Sequence, residues 1–279
     1  MNNEQELKNL VKEKYSQIAH QSLQQNLSSC CGATDCCSTD EVYSIMADDY
    51  TQLEGYNPDA DLGLGCGVPT QFAQMKEGDT IVDLGSGAGN DAFIARRIVG
   101  ESGKVIGVDF SEAMIEKART NADKMGYNNI EFRFGDIEKL PIAANRADVI
   151  LSNCVLNLVP NKQNVFKEIY RVLKPGGHFS ISDIVLEGTL PEPLKKAAEM
   201  YAGCVSGAIQ KQEYLHIIEE TGFSNITVQK EKKITIPDDI LKQYLSEQEL
   251  TDLKESLLGI YSITVFAEKP CCDKESGCC

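Results

Sequence analysis

The sequence from residue 80 to residue 182 alternates short apolar runs with longer stretches of helical periodicity. Short apolar runs between turn residues are typical of buried strands, and apolar positions three or four residues apart are typical of helices. Their alternation predicts an α/β fold, a mostly parallel sheet with helices on both faces. The predicted strands are residues 80–84, 104–108, 130–134, 148–151 and 178–182, and the predicted helices are residues 91–99, 112–125 and 163–173.

Around this sheet the chain is predicted to divide into four parts. Residues 1–40 contain a leading helix and a cysteine-rich loop, and residues 41–188 form the sheet domain. Residues 189–269 are interpreted as an α+β cap that closes the sheet and covers its edge, and residues 270–279 as a disordered, cysteine-rich tail. The helices predicted outside the sheet domain are residues 4–27, 192–202, 211–222 and 238–257, and the closing strands are residues 225–230 and 262–268.

The charge of the chain limits its partners. The 279 residues carry a formal net charge of −15 at pH 7, which would repel phosphate, so we expect no nucleic-acid partner.

The polar N-terminus lacks the apolar region of a secretory signal, and the apolar stretch 149–159 is too short for a bilayer. We therefore expect a cytoplasmic protein without membrane contact. In that reducing compartment its eleven cysteines predict ligands, nucleophiles or redox partners rather than a disulfide framework.

A glycine-rich loop follows the first predicted strand, in the stretch Val-Asp-Leu-Gly-Ser-Gly-Ala-Gly-Asn-Asp that runs from residue 82 to residue 91. Glycine permits a positive φ and lets a ligand approach the backbone. The spacing of Gly85, Gly87 and Gly89 differs from the G-x-G-x-x-G of dinucleotide sites. Asp83, two residues before the first glycine, would repel a pyrophosphate and suits a ligand with an ammonium group.

Polar side chains also end the next predicted strands. Asp109 can accept hydrogen bonds from both ribose hydroxyls, Asp136 can accept one from an adenine amine, and Asn153 ends the fourth strand. An acid of this kind can also merely cap a helix, but open α/β sheets bind ligands at these carboxyl ends. The spacing over about residues 70–185 resembles that of the class I S-adenosylmethionine (SAM) dependent methyltransferases, which have a Rossmann-like fold. The resemblance implies SAM as cofactor, bound by Asp83, Gly85, Ser86, Gly87, Gly89, Asp109, Phe110, Asp136, Ile137, Glu138 and Asn153.

The histidines are the obvious candidates for a base that would activate a methyl acceptor. O- and N-methyltransferases usually need a base that removes the acceptor's proton. The three histidines, His20, His178 and His216, are each predicted to be structural. A soft acceptor that already has a lone pair needs no base.

Three cysteines are isolated in separate segments: Cys66 before the sheet, Cys154 after the fourth strand and Cys204 in the cap. Any one isolated cysteine is more often a small buried hydrophobic residue than a ligand. Thiolates nevertheless select soft, thiophilic centres, and trivalent arsenic bound by three thiolates keeps a lone pair that can attack a sulfonium carbon. Cys154 directly follows Asn153, where a class I enzyme would present its methyl group.

The segments around these cysteines resemble those of the arsenite methyltransferases, and the likeness extends over nearly the whole chain. It implies that Cys154 and Cys204 bind arsenic throughout and that Cys66 is the third ligand. It also implies a cysteine from the N-terminal segment that binds or reduces arsenic, for which Cys30 and Cys31 are favoured over the cysteines at 36 and 37. The matching segments are residues 63–67 (Gly-Leu-Gly-Cys-Gly), 152–160 (Ser-Asn-Cys-Val-Leu-Asn-Leu-Val-Pro), 171–177 (Arg-Val-Leu-Lys-Pro-Gly-Gly) and 203–208 (Gly-Cys-Val-Ser-Gly-Ala).

The implied activity is arsenic detoxification: a methyl group passes from SAM to thiolate-bound trivalent arsenic, in arsenite and then in methylarsenite. A thiol pair would return the product to the trivalent state, and thioredoxin or a small thiol would reduce the disulfide formed. The enzyme is expected to be a monomer.

Two other functions fit parts of the sequence. A class I methyltransferase acting on a quinone or sterol carbon would share the glycine loop, but it would not need three isolated cysteines. A non-catalytic protein that sequesters metalloids would use the cysteine pairs, but it leaves the cofactor residues unexplained. The C-terminal cysteines at positions 271, 272, 278 and 279 could bind a thiophilic ion, collect arsenic, relay electrons or have no catalytic role.

Overall fold

The computed structural model describes residues 3–21, 48–189, 205, 207–236, 241–242, 246–248, 250–251 and 259–271. The strands of this part are β1 (Thr80–Leu84), β2 (Lys104–Asp109), β3 (Ile130–Phe134), β4 (Ala147–Asn153), β5 (Leu173–Glu187), β6 (Ser224–Ile234) and β7 (Gly259–Glu268). Its helices are α1 (Asn3–Ala19), α2 (Asn90–Val99), α3 (Glu112–Met125), α4 (Lys162–Val172) and α5 (Lys211–Glu220), with short 3-10 helices at Pro69–Gln71 and Leu156–Leu158.

These strands form one sheet in the order β3-β2-β1-β4-β5-β7-β6. The first five are parallel, whereas β7 runs antiparallel to both β5 and β6. The chain reverses its direction across the sheet between β1 and β4, and the carboxyl ends of β1, β2 and β4 therefore border a crevice of the kind that binds ligands in open α/β sheets. The predicted α/β fold of the class I methyltransferases is confirmed.

Helices cover both faces of the sheet, as the alternating pattern predicts. In β1, Ile81 points into the core on one face, and Val82 and Leu84 point into the core on the other. The first core is closed by α1, α2 and α3 and the second by α4 and α5, and both bury apolar side chains almost completely. The helix residues in these cores include Ile18, Phe93 and Met114 on the first face and Phe166, Ile169 and Tyr214 on the second.

The structure differs from the sequence-based predictions mainly at strand ends. The Lys-Pro-Gly-Gly stretch after α4 was expected to separate a helix from a short strand, but β5 begins at Leu173 and continues to Glu187. The strand includes this stretch because Gly176 and Gly177 form backbone hydrogen bonds with Lys269, and it reaches Glu187 through ten consecutive residue pairs with β7. Of the other predicted helices, 192–202 lies outside the described residues and 238–257 is only partly within them. None of the helices in the described ranges is long and apolar enough to cross a bilayer.

The contribution of the second core to stability can be measured at Phe179. It is fully buried in β5, with its ring centroid 4.9 Å from that of Phe223 and 5.8 Å from that of Phe166. Phe179→Ala should lower the free energy of unfolding by about 3–5 kcal/mol, because it leaves a cavity. Urea denaturation followed by circular dichroism measures this. The control is Phe134→Ala, because the Phe134 side chain is 49% exposed and its removal should cost less than about 1 kcal/mol. Equal decreases in the free energy of unfolding in the two variants would contradict the placement of Phe179 in the core.

Candidate active site

A cavity of about 400 Å³ lies at the carboxyl ends of β1, β2 and β4. This volume is within the usual range for small-molecule sites. Asp83 of β1 and residues 85–88 of the loop after it line the cavity, as do Asp109 at the end of β2 and Phe110 after it. Asn153 and Cys154 enter from β4. The remaining walls come from Tyr15 of α1, residues 48–51, 56 and 60–65, Asn90 and Asp91 of α2, and Met114, Val155 and Leu158.

The glycine loop keeps its backbone close to the cavity. Gly85 has a φ of 66°, and a Cβ there would lie 2.4 Å from Val155 Cγ2, so only glycine fits. Gly87, with a φ of 50°, borders open space. Gly89 instead packs against the rings of Phe93 and Phe132 and does not line the cavity. Of the predicted glycine contacts, the structure therefore brings Gly85 and Gly87 to the site.

Asp109 holds the loops after β1 and β2 together. Its Oδ2 accepts from the Gly87 N–H at 2.9 Å, and its Oδ1 accepts from the Ser111 N–H at 2.8 Å. Burial raises the pKa of this carboxyl to about 6, against the opposing effect of these hydrogen bonds.

Two more buried carboxylates lie beside it. Burial, with repulsion from Asp91 and Asp109, raises the pKa of Asp83 well above its usual value. Burial also raises the pKa of Asp91 to about 6, although Asn153 and Tyr50 donate hydrogen bonds to it. Three carboxyl groups in one low-dielectric region repel each other unless a cation joins them.

The polar groups of the cavity fit SAM, which carries positive charge on its ammonium group and its sulfonium. Asp83 Oδ2, Ser86 Oγ and Asn90 Oδ1 are buried and have no hydrogen-bond partner within the described chain, so a ligand can supply one. Asp83 suits an ammonium group, and Asp109 suits ribose hydroxyls. Together these residues satisfy the needs of a cationic nucleoside.

Asn153 connects the cavity to the segment that contains Cys66. Its Nδ2 donates to Gly67 O at 2.9 Å and to Asp91 Oδ2 at 3.1 Å, and its Oδ1 accepts from the Cys66 N–H at 3.0 Å. Tyr50 Oη donates to the same Gly67 carbonyl at 2.8 Å. Sequence reasoning missed Asp91 and Tyr50: Asp91 ends the glycine motif and could have been found there, but nothing local marks Tyr50.

The structure does not bring the third predicted strand end into the cavity. Lys8 of α1 pairs with Asp136 Oδ2 at 2.6 Å and also with Glu138, and Ile137 is buried in the second core. None of these predicted contacts is among the described residues that line the cavity. The sequence pattern could not indicate this, because Lys8 is distant in the chain.

Cys66 and Cys154 lie in one apolar cluster at the cap side of the cavity. Both thiol side chains are buried, at 1% and 3% exposure, and Cys154 also lines the cavity. Cys154 has a φ of 61°, and its N–H donates to Ser182 O at 2.8 Å. Cys204, Cys30 and Cys31 lie outside the described residues; Val205, which follows Cys204, belongs to the same cluster. The other members are Ile184, Ile234, Ile236, Leu241, Leu250 and Ile260.

A buried polar pair lies next to this cluster. Tyr214 Oη donates to Asp183 Oδ2 at 3.3 Å. Burial raises the pKa of Asp183 to about 7, opposed by Lys162, and burial with nearby negative charge raises the pKa of Tyr214 well above 10. Tyr214 therefore stays protonated as a donor.

The three histidines lie away from the cavity. His178 Nε2 contacts Ala73 O at 2.6 Å, His216 is exposed on α5, and His20 is exposed just after α1. None is available as a base at the cavity.

Comparison with known proteins agrees with this geometry. Residues 75–222 match the family described as "Methyltransferase domain". The fold and the site thus define a class I SAM-dependent methyltransferase. The chain is 38% identical to an arsenite methyltransferase of Halobacterium salinarum, over 96% of this chain and 68% of that protein, and 34% identical to one of Aquipseudomonas alcaligenes, over 66% and 54%. It belongs to the arsenite methyltransferase family, which confirms the sequence-based assignment.

A solved structure supports the same assignment. The crystal structure of CrArsM, an arsenic (III) S-adenosylmethionine methyltransferase from Chlamydomonas reinhardtii, matches with a TM-score of 0.62 and 31% identity. The match covers 82% of this chain and 73% of that chain. Fold and family therefore agree over most of the molecule.

The carboxylates make ligand affinity depend on pH. Asp91 and Asp109 have pKa values of about 6, so protonation below that pH removes charge that attracts a cation. Affinity for SAM should fall about tenfold or more from pH 7 to pH 5, measured by isothermal titration calorimetry. The affinity for S-adenosylhomocysteine, which lacks the sulfonium charge, should fall less over the same range. An affinity for SAM that does not change with pH would contradict the prediction.

The same groups have the opposite effect on the stability of the ligand-free protein. Their folded pKa values exceed the value of 3.8 for a free aspartate, so the folded state binds more protons between about pH 4 and pH 6. Their contribution should therefore raise the free energy of unfolding as the pH falls from 7 to 5. Asp91→Asn should reduce this dependence in urea denaturation, whereas an unchanged slope would contradict it.

Proposed function

We propose that this enzyme methylates trivalent arsenic bound by Cys66, Cys154 and Cys204. The observation that carries the proposal is the position of two buried thiols in one apolar cluster, one of which lines the cavity with the buried carboxylates. Thiolates select a soft centre. Arsenite exchanges its three oxygens for three thiols and releases water, so this step requires no net proton acceptor.

The residues of the cavity would hold the methyl donor. Asp83 and Asp91 attract its positive charge, and Asp109 accepts from its ribose. When bound, SAM supplies a methyl group activated by the sulfonium. The lone pair of the bound arsenic is the nucleophile. Cys154 holds the arsenic at the boundary between the cavity and the apolar cluster, next to the methyl donor. This positioning supplies much of the rate acceleration.

The apolar cluster contributes by excluding water. Ile184, Ile260 and Val205 are almost fully buried beside the two thiols. A dry environment protects the arsenic–sulfur bonds from exchange with water. It also strengthens the attraction between the carboxylates and a cation.

Methyl transfer oxidises arsenic from the trivalent to the pentavalent state, so two electrons must return it. We propose that a thiol pair that includes Cys30 or Cys31 supplies them and forms a disulfide. Thioredoxin or a small thiol then reduces that disulfide. The need for reduced thiols favours a cytoplasmic location, and we propose that the enzyme acts as a monomer.

Incubation with methyl-labelled SAM, arsenite and a thiol reductant tests the function. We expect labelled methylarsenic. An apolar quinone in place of arsenite is the control acceptor and should remain unlabelled. Label on the quinone alone, or arsenic bound without label transfer, would refute the proposed activity.

Cysteine variants test the ligand set. Inorganic arsenic has three positions for thiolates and methylarsenite has two, so Cys154→Ser and Cys204→Ser should each abolish both methylations. Cys66→Ser should lower the first far more than the second. Product analysis on each substrate measures this, with the exposed Cys271→Ser as control; full activity of Cys154→Ser on arsenite would refute the assignment.

A further inference from the structure

The backbone of Cys66 is held from two sides. Its N–H donates to Asn153 Oδ1 at 3.0 Å, and its carbonyl accepts from Ser262 Oγ of β7 at 2.5 Å. Ser262 is buried, with 5% exposure, and it does not line the cavity. Two hydrogen bonds to one residue from two strands prevent the peptide groups on either side from rotating.

The orientation of the Asn153 amide is set by its surroundings. The acceptors Gly67 O and Asp91 Oδ2 face Nδ2, so Oδ1 must face the Cys66 N–H. A Cβ on Gly65 would lie 2.7 Å from Nδ2, and one on Gly67 would lie 2.6 Å from Ser182 Oγ. The segment around Cys66 therefore fits against the sheet only where glycine flanks it on both sides.

The two bonds also fix the backbone of Cys66 relative to the backbone of Cys154. Asn153 directly precedes Cys154, whose N–H is bound to Ser182 O of β5, and β5 is paired with β7, which carries Ser262. The backbones of Cys66 and Cys154 are therefore both anchored to the same sheet.

We propose that Ser262 and Asn153 are positioning residues that clamp the Cys66 backbone, and that this clamp determines how well the enzyme takes an acceptor with three thiolate positions rather than two. The proposal rests on the proposed function. Arsenite uses Cys66 as its third ligand, so its binding depends on the clamp. Methylarsenite needs two thiolates, so its binding does not.

Ser262→Ala removes one arm of the clamp and leaves the cavity unaltered. The KM for arsenite should rise about fivefold, the equivalent of one buried hydrogen bond, with the KM for methylarsenite within about twofold of wild type. The matched control is Ser180→Ala. That buried serine of β5 donates to Pro69 O at 2.9 Å, so its hydrogen bond is to a residue three positions after Cys66. A change shared equally by both substrates, or by both variants, overturns the proposal.

A second measurement needs no arsenic. Alkylation by iodoacetamide, followed by peptide mass spectrometry, gives the rates of Cys66 and Cys154 separately. Ser262→Ala should increase the rate at Cys66 about fivefold relative to Cys154, and Ser180→Ala should leave the ratio unchanged. An unchanged ratio in Ser262→Ala overturns the clamp. If the wild type does not methylate arsenite, the proposed function fails, and the alkylation ratio still decides whether the clamp exists.

Discussion

The side-chain amide of Asn153 is the interaction on which the rest of the site depends. Asn153 is the last residue of β4, and β4 lies between β1 and β5 near the middle of the sheet. On one side it donates to Asp91 in the carboxylate region, and on the other it accepts from Cys66. A single rigid group thus joins the part of the cavity suited to a cation to the part that contains the thiols. Both are positioned by the same buried strand.

Buried charge is the second constraint. Asp83, Asp91 and Asp109 are costly to the ligand-free protein, because each loses hydration and they repel each other. The sheet tolerates this cost because its two apolar cores are large. The unfavourable charge makes the site selective, since a cation relieves the repulsion and a phosphate increases it. This explains why an acidic glycine motif replaces the phosphate-binding one.

The described cysteines divide by environment. Cys66 and Cys154 lie in a dry apolar cluster, where a thiophilic atom would be shielded from water, whereas Cys271 is exposed. A plain count of cysteines in the sequence could not separate these cases. The separation arises because residues before the sheet, at the end of β4 and in β7 meet at one edge.

Local sequence predicted the parallel sheet, the helices on both faces and the carboxylates Asp83 and Asp109, and it marked Cys66, Cys154 and Cys204 as three isolated cysteines, each in a motif of its own. These follow from periodicity and from motifs within a few residues of each other. Only the tertiary structure decided that Asp136 pairs with Lys8, that Gly89 packs on aromatic rings, and that Tyr50 and Ser262 hold the segment around Cys66. Apart from the contact of Gly89 with Phe93, these contacts join residues far apart in the chain. No local pattern encodes such contacts, because they depend on which segments the sheet order places side by side.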